Sequence, residues 1–149
     1  MLTKKGKYGL KAMVYLAGFQ PGRPIPVAEI ATAQHIPKKF LDAILGELRN
    51  AGFVHSKMGK GGGYTLARPA SDIRIGPIVR VIDGPLAPLP CARKTQHQPC
   101  DDCASEDRCA VRLVMLEARR AIADVLDNCT LAQMRSMADL DESHLMYHI

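Results

Sequence analysis

The chain has 149 residues, 47% of them apolar, and a formal net charge of +5. That length and apolar content suit one well-formed core, or a small domain with an extension, and exclude disorder as a global description. No apolar run is long enough to span a bilayer, which excludes a helical integral membrane protein.

Charge is unevenly shared along the chain. Residues 1–70 carry eleven Lys/Arg against Glu29, Asp42 and Glu47, a balance of +8, whereas residues 71–149 carry nine against twelve, a balance of −3. A basic half joined to a mildly acidic one fits a polyanion-binding module attached to a second function. The N-terminal stretch MLTKKGKYGLKAMVYLAGF places basic residues ahead of apolar ones. Lys11 interrupts that stretch and no small-residue cleavage site follows, so an amphipathic helix is expected rather than a signal peptide. Five cysteines without a secretion signal point to thiols or metal ligands in a cytoplasmic protein rather than to a disulfide framework.

In chain order, Thr3 is expected to cap a first helix reaching about Phe19, with Tyr8, Ala12, Tyr15, Leu16 and Phe19 at three- and four-residue spacings. The run QPGRPIP breaks it. Val27–Gln34 reads as a short second helix, followed by a turn at His35-Ile36. A third helix is expected over Pro37–Asn50, with proline in its first position and Phe40, Leu41, Ile44, Leu45 and Leu48 on its apolar face. The period then changes. Phe53–Met58 and Tyr64–Ala67 read as two short strands around a glycine-rich tip, Gly59-Lys60-Gly61-Gly62-Gly63. Three helices followed by a basic hairpin give the order of a winged helix-turn-helix.

Ile75–Ile82 is expected to form a fourth helix, and Gly84–Pro90 a linker. Residues 91–109 form a cysteine loop, and a long helix follows to Asn128 with Val111, Val114, Met115, Ala118, Ile122, Val125 and Leu126 as its stripe. Thr130 caps a last helix expected over Leu131–Met137, and the tail ADLDESHLMYHI has no clear pattern. The fold class is therefore mainly α with a small β-hairpin wing. The chain is thus expected to divide into a winged helix-turn-helix domain over residues 1–83, a cysteine-rich loop over 84–109, and a long helix with its tail over 110–149.

A helix entering the major groove reads base edges from near its N-terminus, while flanking cations neutralise phosphates. Lys38, Lys39 and Asp42 occupy that first turn, and Asp42 can accept from a cytosine amino group. In the wing, Lys57, Lys60, Gly61, Gly62 and Tyr64 suit a hairpin lying against the backbone or minor groove. The plainer alternatives are a solvated helix face and an ordinary flexible hairpin. A phosphate-cradling loop is rejected, because GKGGGY lacks the Walker pattern and no helix follows it.

The loop CARKTQHQPCDDCASEDRC spaces its thiols as Cys91-x8-Cys100-x2-Cys103-x5-Cys109. Soft thiolates select iron–sulfur clusters, zinc or copper(I), and four within this span can converge on one centre. Spacing alone leaves an iron–sulfur cluster ([2Fe–2S] or [4Fe–4S]), a zinc site and a metal-free thiol switch open. His97 is a further candidate ligand or a solvated loop histidine, and Cys129 is expected as a buried small apolar residue. An iron–sulfur or disulfide oxidoreductase lacks any cofactor-pocket signature.

Four segments together resemble the Rrf-type winged-helix regulators, the family of IscR, NsrR, RirA and CymR. They are LTKKGKYGLKAMVYLA, IPKKFLDAILGELRNAGFVHSKMGKGGGYTLAR, IGPIVRVIDGP and the Cys-x5-Cys that precedes the long helix. The resemblance spans about residues 1–137, and the tract from Leu48 to Tyr64 is its most specific part. It implies a homodimer whose long helix crosses its partner, with the third helix and the wing on a palindromic double-stranded operator. The expected function is a transcription regulator, a repressor, whose DNA affinity follows redox, nitric oxide or iron status. Family members that hold a cluster use three loop cysteines plus one other residue. The last two of those cysteines match Cys103 and Cys109, and the first matches Cys91 or Cys100. Two departures stand out: Arg112 occupies the place of a histidine ligand three residues after the last cysteine, and Lys7 the place of an acidic ligand on the first helix. The expectation is that all four loop cysteines ligate, with Cys100 filling the gap. Met58 stands where some members carry arginine, which leaves any wing charge contact to Lys57 or Lys60.

Overall fold

The structure, a computed structural model, describes residues 2–146, with side chains followed to residue 140. Three helices come first: α1 (Lys4–Leu16), α2 (Val27–Gln34) and α3 (Lys38–Asn50). The hairpin β1 (Val54–Lys57) and β2 (Gly63–Leu66) follows, then α4 (Ile75–Asp83), α5 (Ala110–Asn128) and α6 (Leu131–Met146).

Local chemistry sets the helix ends. Thr3 Oγ accepts from the Gly6 amide at 3.1 Å, satisfying one orphan donor of α1. That helix stops at Leu16 rather than Phe19, and Phe19 instead packs edge-on against Tyr15 at 5.0 Å between ring centroids. His35 ends α2 in the left-handed region at φ 53°. Pro37 sits at the N-cap of α3, one position earlier than expected, and Lys38 is the first helical residue. Phe40 does not join the buried face: it is 61% exposed, while Leu41, Ile44, Leu45 and Leu48 are buried.

The hairpin pairs Val54 with Leu66 and Lys57 with Gly63. Its second strand also bridges Ile25, with Ile25 N–H to Tyr64 O and Tyr64 N–H to Ile25 O both at 2.9 Å. A side chain at position 63 would collide with the Ile25 carbonyl, so glycine is what allows this close pairing.

The core gathers the inner faces of α1, α3 and α4 with Ile25, Ile30, Ile36, Val54 and Ile73. A second bridge, Arg74 with Thr130, brings the chain back after α5, with Ile75 N–H to Cys129 O at 3.0 Å and Leu131 N–H to Ile73 O at 2.8 Å. Arg80 of α4 grips Asp127 of α5 through both carboxylate oxygens, at 2.6 and 2.8 Å. Gly76 lies directly under Asp127, where a Cβ would meet the carboxylate. The last helix runs beyond the expected Met137 to Met146, and Arg135 on it donates to Ala17 O at 2.9 Å. Residues 147–149 of the expected tail lie outside the described residues.

Candidate nucleic-acid interface and cysteine loop

Because α3 turns Leu41, Ile44, Leu45 and Leu48 inward, its opposite face presents Lys38, Lys39, Asp42, Ala43 and Arg49 to solvent. Lys38 Nζ and Asp42 Oδ2 pair at 3.0 Å across one turn. An exposed pair of this kind contributes little to stability, so either partner can exchange it for a base or phosphate. Arg49 extends the cationic face by three turns from Lys38, a residue that reading the first turn alone passes over.

The wing continues from α3 through Phe53, whose amide donates to Leu48 O at 2.9 Å. Lys57 closes β1, and Met58, Gly59, Lys60 and Gly61 form an exposed tip, with Met58 at 87%. Gly62 and Tyr64 are half-buried: Gly62 fits against the Lys57 and Gly59 carbonyls, and Tyr64 packs on the core. Of the expected interface residues, Lys38, Lys39, Asp42, Lys57, Lys60 and Gly61 thus lie on open surface, while Gly62 and Tyr64 shape the wing from within.

In the loop, Cys91 is buried in a 3-10 turn (Pro90–Ala92), Cys100 is exposed, and Cys103 and Cys109 are half-buried. The four thiols influence one another in two neighbouring pairs, Cys91 with Cys100 and Cys103 with Cys109. Cys100 shares a hydrogen bond with Cys91, which, followed by desolvation and the charges of Cys91, Asp102 and Cys103, raises its thiol to about 11. Cys103 is raised by desolvation and by donating to Cys109. Cys109 is lowered, first by the Arg112 amide and also by Cys103. That amide meets Cys109 Sγ at 3.5 Å, making the sulfur the N-cap of α5, where a helix terminus favours a thiolate. All five cysteines are free thiols, and among the described residues no three His, Cys, Asp or Glu side chains converge at ligating geometry. His97 pairs with Glu106 at 3.2 Å, and Cys129 is half-buried against the core.

Arg112 has a part the spacing did not reveal. Its Nε donates to Cys91 O at 2.9 Å and a terminal nitrogen to Glu106 O at 3.5 Å, so it ties both ends of the loop to the first turn of α5. The available signal was its position three residues into a helix capped by Cys109, from which a long side chain reaches back over the loop.

The stripe expected on α5 divides in two. Met115, Ala118, Ile122 and Leu126 are half-buried against this chain, whereas Val111, Val114 and Val125 are exposed. No residue of α5 is fully buried. No helix among the described residues is long and apolar enough to cross a membrane.

The Rrf2 family model, described as an iron-dependent transcriptional regulator, matches residues 2–136. An Rrf2-like HTH-type transcriptional regulator of Rhodobacter capsulatus is 45% identical over 138 residues, covering 90% of this chain and 91% of that one. The transcriptional regulator IscR of Yersinia enterocolitica is 32% identical over 141 residues, covering 95% and 82%. The structure of CymR, the global cysteine regulator of B. subtilis, superposes with a TM-score of 0.75 at 31% identity, covering 92% of this chain and 97% of CymR. These relatives are transcriptional regulators, not enzymes.

Proposed function

This chain belongs to the Rrf2 family of transcriptional regulators, and we propose that it is a cytoplasmic, homodimeric repressor whose grip on a palindromic operator is set by an iron–sulfur cluster on its cysteine loop. The observation that carries this reading is the pairing of Cys91 with Cys100 and Cys103 with Cys109 at the base of α5. Four soft thiols in one loop suit a cluster with all-cysteine ligation once the loop draws the two pairs together, since no three of them converge in this arrangement.

In this reading Cys91, Cys100, Cys103 and Cys109 would hold the cluster. The chemistry such a group supplies is reversible electron transfer and reaction with oxidants or nitric oxide. The chain's own residues pass the change on: Cys109 caps α5 and Arg112 pins the loop to that helix, so movement of the sulfurs bears on where α5 begins. On the DNA side, Lys38, Lys39, Lys57 and Lys60 neutralise phosphates, Asp42 addresses a base edge, and Gly61, Gly62 and Tyr64 keep the wing narrow and anchored. The outward residues Val111, Val114, Ala121 and Val125 recur at seam spacing along α5, which supports a second copy lying against that helix.

A second reading draws on the same pairing. Two thiols of one pair lose two protons and pass two electrons to a peroxide or disulfide oxidant, closing a Cys91–Cys100 or Cys103–Cys109 bond without metal. Zinc is the third occupant that four thiolates suit. Anaerobic purification with absorption spectra and iron, sulfide and zinc assays separates the three. The cluster reading expects iron and sulfide in the purified protein, and loss or change of the visible absorption in Cys100→Ala. An unchanged spectrum in that variant removes Cys100 from the ligand set, and metal-free protein yielding the two disulfides by peptide mapping favours the switch.

A further inference from the structure

The ring of Phe40 is 61% exposed. Among the described residues no other aromatic ring is left on open surface. A single exposed apolar side chain is ordinary, so its place decides what it means. Phe40 is the third residue of α3, next to Lys38 and Lys39, in the turn by which a recognition helix meets base edges. Nor does it stand alone: Phe40, Tyr8, Pro37 and Ile44 line a shallow hollow between α3 and the start of α1. Lys4 and Lys5 rim that hollow. Lys5 pairs with Glu47 at 2.6 Å, while Lys4 lies over the Tyr8 ring at 5.8 Å and has no carboxylate partner among the described residues. Ala43, one turn further along, is exposed and too short to cover the ring.

We propose that Phe40 is a specificity-determining residue that reads a thymine, its ring packed on the 5-methyl group in the major groove. This rests on the DNA-binding reading of α3 and adds one base to it. A phenyl ring has nothing to donate or accept. Against guanine, adenine or cytosine it would strip water from a polar edge without replacing the lost hydrogen bond. Thymine is the base that presents a methyl group in that groove. Lys38, Lys39 and Asp42 can address only polar groups, so Phe40 supplies the apolar half of the readout. Lys4, on the rim of the hollow, takes a phosphate of the strand alongside and carries no sequence information.

The test lets the full chain, purified anaerobically, select its sequence from a random double-stranded DNA pool. Each thymine of the selected duplex is then replaced by deoxyuridine, which removes the 5-methyl and keeps every hydrogen-bonding group. The expected result is a thymine whose replacement weakens binding by the parent about fourfold, the scale of one methyl withdrawn from water. In Phe40→Ala the same replacement should cost nothing. That variant should keep the parent's unfolding midpoint, since the side chain is mostly exposed. Phe40→Leu keeps an apolar surface, should retain part of the discrimination, and carries the test if Phe40→Ala fails to fold. A chain that selects no sequence overturns the DNA-binding reading and this proposal with it. Selection of a sequence with no thymine whose methyl depends on Phe40 overturns the proposal alone. So does an equal loss by Phe40→Ala on selected and unrelated DNA, which puts the ring on the sugar–phosphate backbone. Loss of self-association in that variant also overturns it, since a second copy then covers the ring.

Discussion

Every buried side chain of the main core except Leu131 lies between Leu10 and Ile82, whereas the nineteen residues of α5 include none that is fully buried. The head, α1 to α4 with the hairpin, supplies nearly all of that core. The arm beyond it is fastened at one end by the Arg80–Asp127 pair and the Arg74–Thr130 bridge, and at the other by Arg112. Between those ties it offers apolar residues outward. The contrast teaches where the buried apolar area lies: inside the head, and hardly at all on the arm.

The strongest way to break that contrast is to remove the same kind of atom from each region. Ile44→Ala empties a site only 1% exposed in the centre of the head, and should cost about 2–5 kcal/mol in unfolding free energy. Val114→Ala, at a position 62% exposed on the arm, should stay within about 0.5 kcal/mol. Equal losses by urea unfolding of the monomer would mean that the arm shares the head's core. A charge sharpens the same point. Val114→Glu should raise the dissociation constant of the proposed dimer at least about tenfold in sedimentation experiments and leave the head's unfolding midpoint in place. Unaltered self-association would move the dimer seam off this face.

A smaller effect tests the DNA contact proposed for the wing of the head. Lys57→Ala and Lys60→Ala should each reduce the slope of log affinity against log salt by about 0.9, if each neutralises one phosphate. Affinity should fall alike for specific and unrelated DNA, as phosphate contacts carry no sequence information. An unchanged slope in a salt series of gel shifts would leave the wing tip free of the backbone.

The head was the more readable region because its signals are local. A threonine cap, a 3.6-residue period in α3, and glycines where strands must turn each act within a few residues. Phe40 misled because periodicity gives a face and not its limit: it falls on the flank of α3, at a shallow hollow with Lys4, Lys5 and Tyr8, rather than inside. On α5 the stripe was real, but an apolar pattern is the same whether its own core or a second copy covers it. The length of α6 escaped for the opposite reason. After Met137 there is no stripe to follow, and the helix continues on residues that tolerate it, with no glycine or proline to stop it. Cysteine spacing put four thiols in one loop, but how they pair depends on the path of that loop, which Arg112 helps to hold.

The smallest expected effect lies at the joint between the two regions. Arg80 donates two hydrogen bonds to Asp127, and that contact holds the Asp127 carboxyl below its ordinary range. A carboxyl depressed in the folded state stabilises it fully above the unfolded value, about 3.9, and loses that contribution as pH falls through the lower folded value. Both side chains are about 40% exposed, so solvent screening limits the gain to below about 1 kcal/mol. Asp127→Asn should therefore be slightly less stable than the parent at pH 7, and the difference should close as the pH drops below about 4. It should not close on the alkaline side, because Arg80 is raised further above its already high ordinary value by the same contact. Thermal unfolding of both proteins from pH 7 to pH 3 reads this directly. A gap that persists into acid would assign the loss to packing against Gly76 rather than to the ion pair, and would make the joint between head and arm a steric one.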